Sequence, residues 1–319
     1  MKDDTFLIYK LSSIKGFGVK TLNIILERIR VEDLSLQTVF DLEEDKFYGL
    51  FPEFGKGRFS MVDYNQIANV NDEMLESEYQ QLQKSDVKII SILDQNYPKD
   101  LIQTFANNAP PLLFCKGNIA LLQSRSVAIV GSRDVDALGI EATETIAKDL
   151  AKHGTNVVSG YAKGVDRAAH FASLDNGGTT TMVLSCGINS MPNMQEVADK
   201  YDADSVLIIS QFDPNQPWSA RNAMVRNRLV CSLSQAVIVI HSGPEKDEKG
   251  ISSGTFAAGK TALELGLPVF VMSPEFFNPK PKGNADLLTM GAVKISDHSI
   301  VSSLITFDTT AKGVQSELF

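Results

Sequence analysis

The chain of 319 residues is poor in the features that build disulfide frameworks, metal centres and membrane spans. Its three cysteines, Cys115, Cys186 and Cys231, lie far apart in apolar settings, which predicts buried free thiols. The four histidines show no ligand spacing, so we expect no metal or other cofactor. No uninterrupted apolar run approaches the roughly 18 residues of a membrane span, and the start lacks the layout of a secretory signal. We therefore expect a cytoplasmic globular protein with no membrane partner.

Positive charge is also in short supply. The net charge is −9, from 30 basic and 39 acidic residues. This balance argues against a protein that coats nucleic acid through an overall positive field. Much of the acidity sits at 43–45, 72–78 and 245–248, outside the turns that are candidates for ligand binding. Any nucleic-acid site must therefore be local.

The length predicts two domains, at about 150 residues per domain. We expect a small helical N-terminal domain over 1–80, a core with its lead-in segment over 81–300, and a polar tail over 301–319. Within the first domain, the segment 14–21 is a glycine-pinned turn that opens an amphipathic helix. It is typical either of a helix-hairpin-helix element, whose amides contact nucleic acid, or of an ordinary connection in a helical bundle. The residues do not separate these two interpretations.

From residue 127 onward, short apolar runs alternate with helical segments. The runs are 127–130, 156–159, 181–185, 205–210, 236–240, 268–272 and 293–295. This alternation is typical of βαβ units, so the fold class is predicted as α/β, with a Rossmann-like, doubly wound, mostly parallel sheet. Open sheets of this kind bind ligands at the carboxyl ends of their strands. The residues that follow each run are therefore the candidate site.

Two glycine-rich turns follow the first two runs. The first contains Gly131, Ser132 and Arg133, and the second contains Ser159, Gly160, Lys163, Gly164 and Asp166. Exposed amides at such turns, the N-terminus of the next helix and a guanidinium all favour an anionic oxygen. Asp166 is a candidate for capping its helix, which is the commoner role, or for contacting the ligand directly, and we expect His170 to be packed rather than catalytic. Together the turns predict a phosphate-bearing ligand.

A basic helix and a third small-residue turn complete the predicted site. Three arginines, Arg221, Arg226 and Arg228, fall within eight residues at a predicted helix start, with Asn227 between the last two, and cations there oppose the helix dipole and so indicate an anion. Because Arg226 and Arg228 point apart on a helix, at most one can face the crevice. The third turn contains Ser253, Gly254 and Thr255, with Lys260 beyond it. The segment 254–261 has the spacing of a Walker loop, but an acidic loop rather than a strand precedes it, which argues against nucleotide hydrolysis.

Taken together, these residues resemble the DNA-processing protein A (DprA, or Smf) family. The similar motifs include Ala128-Ile-Val-Gly131-Ser132-Arg133, Ser159-Gly160-Tyr-Ala162-Lys-Gly164-Val-Asp166, Arg226-Asn227-Arg228 and Gly283-Asn284, and they run in unbroken order through about 90–295. The resemblance implies single-stranded DNA binding in the crevice, homodimerisation and loading of a RecA-type recombinase without catalysis. The sequence departs from the family at Gln211, at Met224-Val225 and in an acidic insertion over 243–250.

Two other functions fit the same turns. A phosphoribohydrolase acting on nucleoside monophosphates would need a glutamate soon after the Gly254-Thr255 turn, whereas the next glutamate is Glu264. A sensor of a small nucleotide would use the same crevice, because a mononucleotide and one unit of a strand present the same groups. We therefore expect a non-catalytic DNA binder and keep both alternatives open. Tyr161 and Phe256 are candidates for base stacking or for packing under a loop.

Overall fold

The computed structural model describes residues 3–298, so the polar tail predicted over 301–319 lies outside the described residues. Residue contacts divide the chain into two units. The first comprises residues up to Leu122 with Cys186–Pro192 and Ile208–Pro217. The second comprises Gln123–Ser185, Asn193–Leu207 and the residues from Trp218 onward. This division groups the lead-in segment with the N-terminal helices, while the predicted domain bounds themselves stay a prediction.

The first unit is mainly helical. Its helices are α1 (Asp4–Ser12), α2 (Val19–Val31), α3 (Thr38–Asp41), α4 (Glu44–Leu50), α5 (Tyr64–Ala68), α6 (Asp72–Lys84) and α7 (Lys99–Phe105). Strands β1 (Lys88–Ser91) and β2 (Leu112–Gly117) pair antiparallel. Buried aromatic rings supply much of the core, with Phe51 stacked on Phe54 at a centroid distance of 5.3 Å. Burial of rings of this size is a large apolar contribution to the stability of so small a unit.

The turn between α1 and α2 has the predicted glycine-pinned form. Gly16 has a φ of +93°, and a Cβ there would lie 2.9 Å from the Met61 carbonyl oxygen. Gly18 is the N-cap of α2, whose face with Leu22, Ile25 and Ile29 is buried. Gly16 therefore meets two local demands, a left-handed backbone and close packing. These demands explain Gly16 whether the segment is a helix-hairpin-helix element or an ordinary connection between two helices.

The second unit contains the parallel sheet. Strands β3 (Ser126–Val130), β4 (Asn156–Ser159), β5 (Thr180–Val183), β7 (Ala236–Val239), β8 (Val269–Met272) and β9 (Val293–Ile295) pair in parallel in the order β5-β4-β3-β7-β8-β9. Strand β6 (Val206–Ser210) contains residues of both units. All seven apolar runs form strands, and the predicted α/β class with its mostly parallel sheet is confirmed.

Helices connect these strands and cover both faces of the sheet. They are α8 (Ala137–Lys152), α9 (Val165–Asp175), α10 (Met194–Lys200), α11 (Ala220–Ser232), α12 (Gly254–Glu264) and α13 (Lys282–Thr289). One face presents Val127 and Ile129 to residues of α8 and α9 in a single apolar cluster. On the other face Gly259 of α12 lies against Val239. Strands buried on both faces explain the continuous apolar runs of the sequence.

Two smaller expectations are also confirmed. Cys115, Cys186 and Cys231 are buried free thiols. His170 is fully buried, with its Nδ1 2.6 Å from the Thr180 hydroxyl. Among the described residues, none of the helices combines the length and apolar character needed to cross a bilayer.

Candidate nucleic-acid interface

A cleft of about 800 Å³ lies in the second unit, at the carboxyl ends of β3 and β7. These two strands are neighbours in space, yet the chain leaves β3 toward β4 on one side and reaches β7 only later on the other. Such a reversal of strand order leaves a crevice between the connections, which is where open α/β sheets bind ligands. The sequence prediction of a site at the strand ends therefore agrees with the position of the cleft.

The first turn follows the end of β3 at Val130, where Gly131 packs against the start of helix α9. A Cβ at Gly131 would lie 2.4 Å from Val165 Cγ2, so only glycine fits. The Ser132 amide donates to the His241 carbonyl at 2.9 Å, and the Ser132 hydroxyl accepts from the Asp134 amide at 3.2 Å. These bonds fix the turn, and the side chain that follows, Arg133, is exposed at the cleft wall.

The second turn is packed directly behind the first. Gly164 has a φ of +83°, and a Cβ there would lie 2.5 Å from the Ser132 carbonyl oxygen, which also accepts from the Val165 amide at 3.3 Å. The predicted capping role of Asp166 is wrong, because Gly164 is the N-cap of α9 and Asp166 is its second residue. The Asp166 carboxylate instead accepts from the Ala162 amide at 3.4 Å and closes its own turn.

Arg226 forms the floor of the cleft. Its side chain is almost wholly buried, at 6% exposure, and its Nη1 donates to the Val183 carbonyl at 3.1 Å. The guanidinium lies against Gly160, where a Cβ would be only 1.3 Å from Nη1. Gly160 is therefore required by the arginine packed on it. A buried cation in this place is fixed by packing beside the Asp166 carboxyl, and solvent screens it little.

Helix α11 begins at Ala220, so Arg226 and Arg228 lie in its middle and not at its start as predicted, and the two residues after Arg226 diverge as helical geometry requires. Asn227 Nδ2 donates to the Gly254 carbonyl at 2.9 Å and so joins α11 to the start of α12. Arg226 and Asn227 line the cleft, whereas Arg228 is outside its wall. The structure thus places one arginine of the Arg-Asn-Arg motif in the cleft, in the manner that the helical spacing predicts.

Burial shifts the pKa of two groups beneath the cleft. Burial raises the pKa of the Asp166 carboxyl, and the neighbouring Arg226 guanidinium opposes that rise. Burial also lowers the pKa of His170 to about 3, with Arg226 and Arg167 adding to the shift. His170 is therefore neutral at physiological pH and has a structural role, in agreement with the sequence prediction.

The third turn brings a helix N-terminus to the cleft. Ser253 is the N-cap of α12, and its hydroxyl accepts from the Phe256 amide at 3.2 Å. The first amides of a helix have no acceptor within the helix, so the amides of Gly254 and Thr255 favour an anion at the cleft. Because the helix begins at Gly254, the Walker-like spacing over 254–261 falls on a helix and not on a phosphate-binding loop.

The structure brings together most of the predicted site residues, but not all of them. Those that line the cleft are Gly131, Ser132, Arg133, Asp166, Arg226, Asn227, Ser253, Gly254 and Thr255. Ser159 and Gly160 are buried beneath it. Lys163 and Gly164 line an adjacent depression, and the Lys260 ammonium pairs with Glu245 at 2.8 Å. Direct ligand contact by any of these residues stays a prediction.

Sequence reasoning missed Trp218, whereas it identified Arg221 as one of three arginines that indicate an anion; both residues also line the cleft. Trp218 is the one tryptophan of the chain and is 52% exposed, and the Arg133 guanidinium lies 5.3 Å from its ring. The two aromatic residues that the sequence suggested, Tyr161 and Phe256, are 8% and 3% exposed and pack inside the fold. The sequence carries no signal for this exposure, since a ring as large as that of tryptophan is usually mostly buried.

Comparisons with known proteins identify the family of the chain. The family model described as DNA recombination-mediator protein A matches residues 88–305. The DNA processing protein DprA of Streptococcus pneumoniae is 30% identical over 92% of this chain and 95% of its own length. The chain belongs to the DNA recombination-mediator protein A family. Protein Smf of Escherichia coli is 29% identical over 70% of this chain and 58% of that protein.

Two solved structures of the family are similar to this fold. The X-ray structure of the Streptococcus pneumoniae protein matches with a TM-score of 0.77 and 28% identity, over 96% of this chain and all of that one. The Helicobacter pylori DNA processing protein A matches with a TM-score of 0.56 and 29% identity, over 69% of this chain and 97% of that one. The latter structure describes the single-stranded DNA binding mode of the Helicobacter protein. The resemblance inferred from the sequence motifs is confirmed.

Proposed function

We propose that the cleft binds single-stranded DNA through its phosphates and stacks one base on Trp218. The observation that carries this proposal is the convergence of the Gly131–Arg133 turn, the buried Arg226 and the N-terminus of α12 on one cleft. Amides and guanidinium groups recognise phosphate without reading sequence. The Helicobacter relative, whose single-stranded DNA binding mode is described, supports the choice of ligand.

Trp218 gives the cleft a flat, half-exposed ring beside a cation. Every base has an aromatic face, so stacking tolerates any sequence, and it contributes about 1–3 kcal/mol per base. Arg133, at 5.3 Å from the same ring, is placed to contact the phosphate next to a stacked base. This arrangement favours a strand over a free phosphate, because it uses a base and a phosphate at neighbouring points.

The direct test is the salt dependence of binding to a labelled oligothymidine, measured by fluorescence anisotropy. Two or three phosphate contacts predict a log-log slope of about −1.4 to −2, at roughly −0.7 per contact. Arg133→Gln should reduce that slope by about 0.7, whereas Lys148→Gln, an exposed lysine of α8 outside the cleft wall, should leave it unchanged. A slope near zero for the unmodified protein would contradict the proposal.

The same assay separates the alternative ligands. Mononucleotides that displace the oligonucleotide at equal concentration would favour the nucleotide sensor. Release of free base from nucleoside monophosphates at enzymatic rates would favour the phosphoribohydrolase. The carboxylates in the cleft wall are Asp134, Asp166 and Asp247, and Asp166 is held by its own turn. Glu264, the last residue of α12, is outside that wall, which favours binding over catalysis.

We extend the proposal to assistance of a RecA-type recombinase by a homodimer, on the basis of family membership. Light scattering of the isolated protein tests the dimer. Recombinase filament formation on DNA coated with a single-strand binding protein tests the assistance. A monomer that leaves filament formation unchanged would limit the function to DNA binding.

A further inference from the structure

A second depression, of about 750 Å³, adjoins the cleft in the same unit. The two share Arg133 and Asp134 in their walls, so this turn is the divide between them. The depression is lined on its far side by Lys163, Arg167 and Phe171. It therefore begins where the cleft ends, with Arg133 accessible from both.

The wall of the depression has an excess of one positive charge. Its cations are Arg133, Lys163 and Arg167, and its anions are Asp134 and Asp136. The Asp136 carboxylate accepts from the Gly139 amide at 2.9 Å as the N-cap of α8. Asp134 faces Lys163 at 3.5 Å with both side chains more than 80% exposed, and such exposed pairs contribute little and are screened by salt. A phosphate can therefore replace Asp134 as the partner of Lys163.

An aromatic surface lies beside these cations. The Phe171 ring is half-buried and stacks on Tyr201, with centroids 5.9 Å apart and an interplanar angle of 16°. The Arg167 guanidinium is 5.4 Å from the Phe171 centroid and 5.2 Å from that of Tyr161. Lys200 adds an ammonium 5.8 Å from Phe171. Stacked rings and guanidinium planes bordered by cations are the surfaces on which proteins hold unpaired bases.

We propose that a strand bound in the cleft continues across Arg133 into this depression. Its next phosphates contact Lys163 and Arg167, and a base stacks against the Arg167–Phe171 surface. This inference rests on the proposed function and adds a second subsite to it. The subsite contributes only when the strand is long enough to reach it. Lys163, predicted from its glycine-rich turn as part of one pocket, belongs here to the second subsite.

The test is a length series of labelled oligothymidines, from about 4 to 20 nucleotides, a range set by common site sizes of single-strand binders. We expect Lys163→Gln and Arg167→Gln each to weaken binding of the long strands about 3- to 10-fold, as loss of one phosphate contact does, and Phe171→Leu to weaken it by about 5-fold or more, as loss of one stacked base does. The shortest strands should bind each variant within about 2-fold of the unmodified protein, because the cleft alone holds them. Arg133→Gln should weaken binding at every length.

Two controls keep the result interpretable. Lys148→Gln removes one exposed positive charge from the same unit, outside both the cleft and the depression, and should match the unmodified protein at all lengths. Lys163 is 81% exposed, so Lys163→Gln tests the subsite even if Phe171→Leu disturbs packing. The second subsite alone would be overturned by either of two results. In one, the three subsite variants bind short and long strands with equally reduced affinity; in the other, they bind long strands as tightly as Lys148→Gln does. Absence of DNA binding by the unmodified protein would overturn the proposed function and the subsite together.

Discussion

The cations around the cleft fall into two groups that differ in burial. Arg226 is buried, donates a hydrogen bond to the Val183 carbonyl and packs against Gly160, where a Cβ would overlap its guanidinium. Lys163 and Lys260 are exposed, and each pairs with a carboxylate from a neighbouring loop. The buried arginine is thus part of the fold as well as of the site, whereas the exposed lysines can change partner at little cost. The positive charge around the cleft therefore comes from one cation that packing holds in place and from exposed cations that can exchange one anionic partner for another.

The largest effect should come from disturbing the buried group. Gly160→Ala places a Cβ on the Arg226 guanidinium, which must leave the Val183 carbonyl. Leaving a buried charged donor without its hydrogen bond costs about 1.5–3 kcal/mol, so we expect a free energy of unfolding lower by that amount and loss of DNA binding. Urea denaturation followed by fluorescence checks the first expectation, and anisotropy checks the second.

Gly49→Ala is the matched control for this glycine. Gly49 lies in α4 with open space where a Cβ would be, so alanine should be neutral or slightly stabilising, by about 0.5–1 kcal/mol. If Gly160→Ala unfolds at the same urea concentration as the unmodified protein, the guanidinium is not held where the structure places it. The contrast between fixed and adjustable cations would then fail.

A second, intermediate effect concerns the neutral His170 beneath the floor. Its pKa is about 3 in the folded protein, against 6.5 as the ordinary value, so the unfolded chain binds an extra proton between these limits. The free energy of unfolding should therefore fall as the pH falls below 6.5, by about 1.4 kcal/mol per pH unit, or about 2 kcal/mol at pH 5. His170→Gln should remove this contribution.

The measurement compares urea midpoints of the two proteins at pH 7 and pH 5. Burial raises the pKa of Asp166, so the folded state keeps the carboxyl proton to a higher pH than the unfolded chain does. Asp166 therefore changes the free energy of unfolding in the opposite direction to His170 as the pH falls. That contribution is present in both proteins, so the difference between them isolates His170. Identical pH dependence in the two proteins would mean that His170 becomes protonated without unfolding.

The smallest effect should come from the exposed pair. Glu245→Gln removes a carboxylate and releases the Lys260 ammonium near the third turn, so we expect DNA affinity to rise about 2- to 3-fold at low salt and less at high salt. Lys260→Gln should change affinity by less than about 2-fold, since its charge is already paired. Anisotropy at two salt concentrations measures both. A loss with Lys260→Gln as large as with Arg133→Gln would place Lys260 on the phosphates, as the sequence pattern predicts.

Local rules predicted what local geometry controls. The apolar runs identified every strand of the parallel sheet because most of these strands are buried along their whole length and are therefore rich in apolar, often β-branched residues. The divergence of Arg226 and Arg228 followed from helical spacing alone, and the family followed from several motifs in order. The errors occurred where a role depends on neighbours distant in sequence. The position of Asp166 in its helix, inside the first turn instead of at its cap, is one such case.

By itself, the sequence determined the fold class, the order of the strands along the chain and the family, because periodicity and turn chemistry act over a few residues. Only the tertiary structure decided which cations are fixed and which are adjustable, since Arg226 meets Gly160 and Val183 across more than 40 residues of chain. It likewise decided that Trp218, and not Tyr161 or Phe256, presents an exposed ring to the cleft. Burial is a property of the packed molecule, and no local pattern in these residues specifies it.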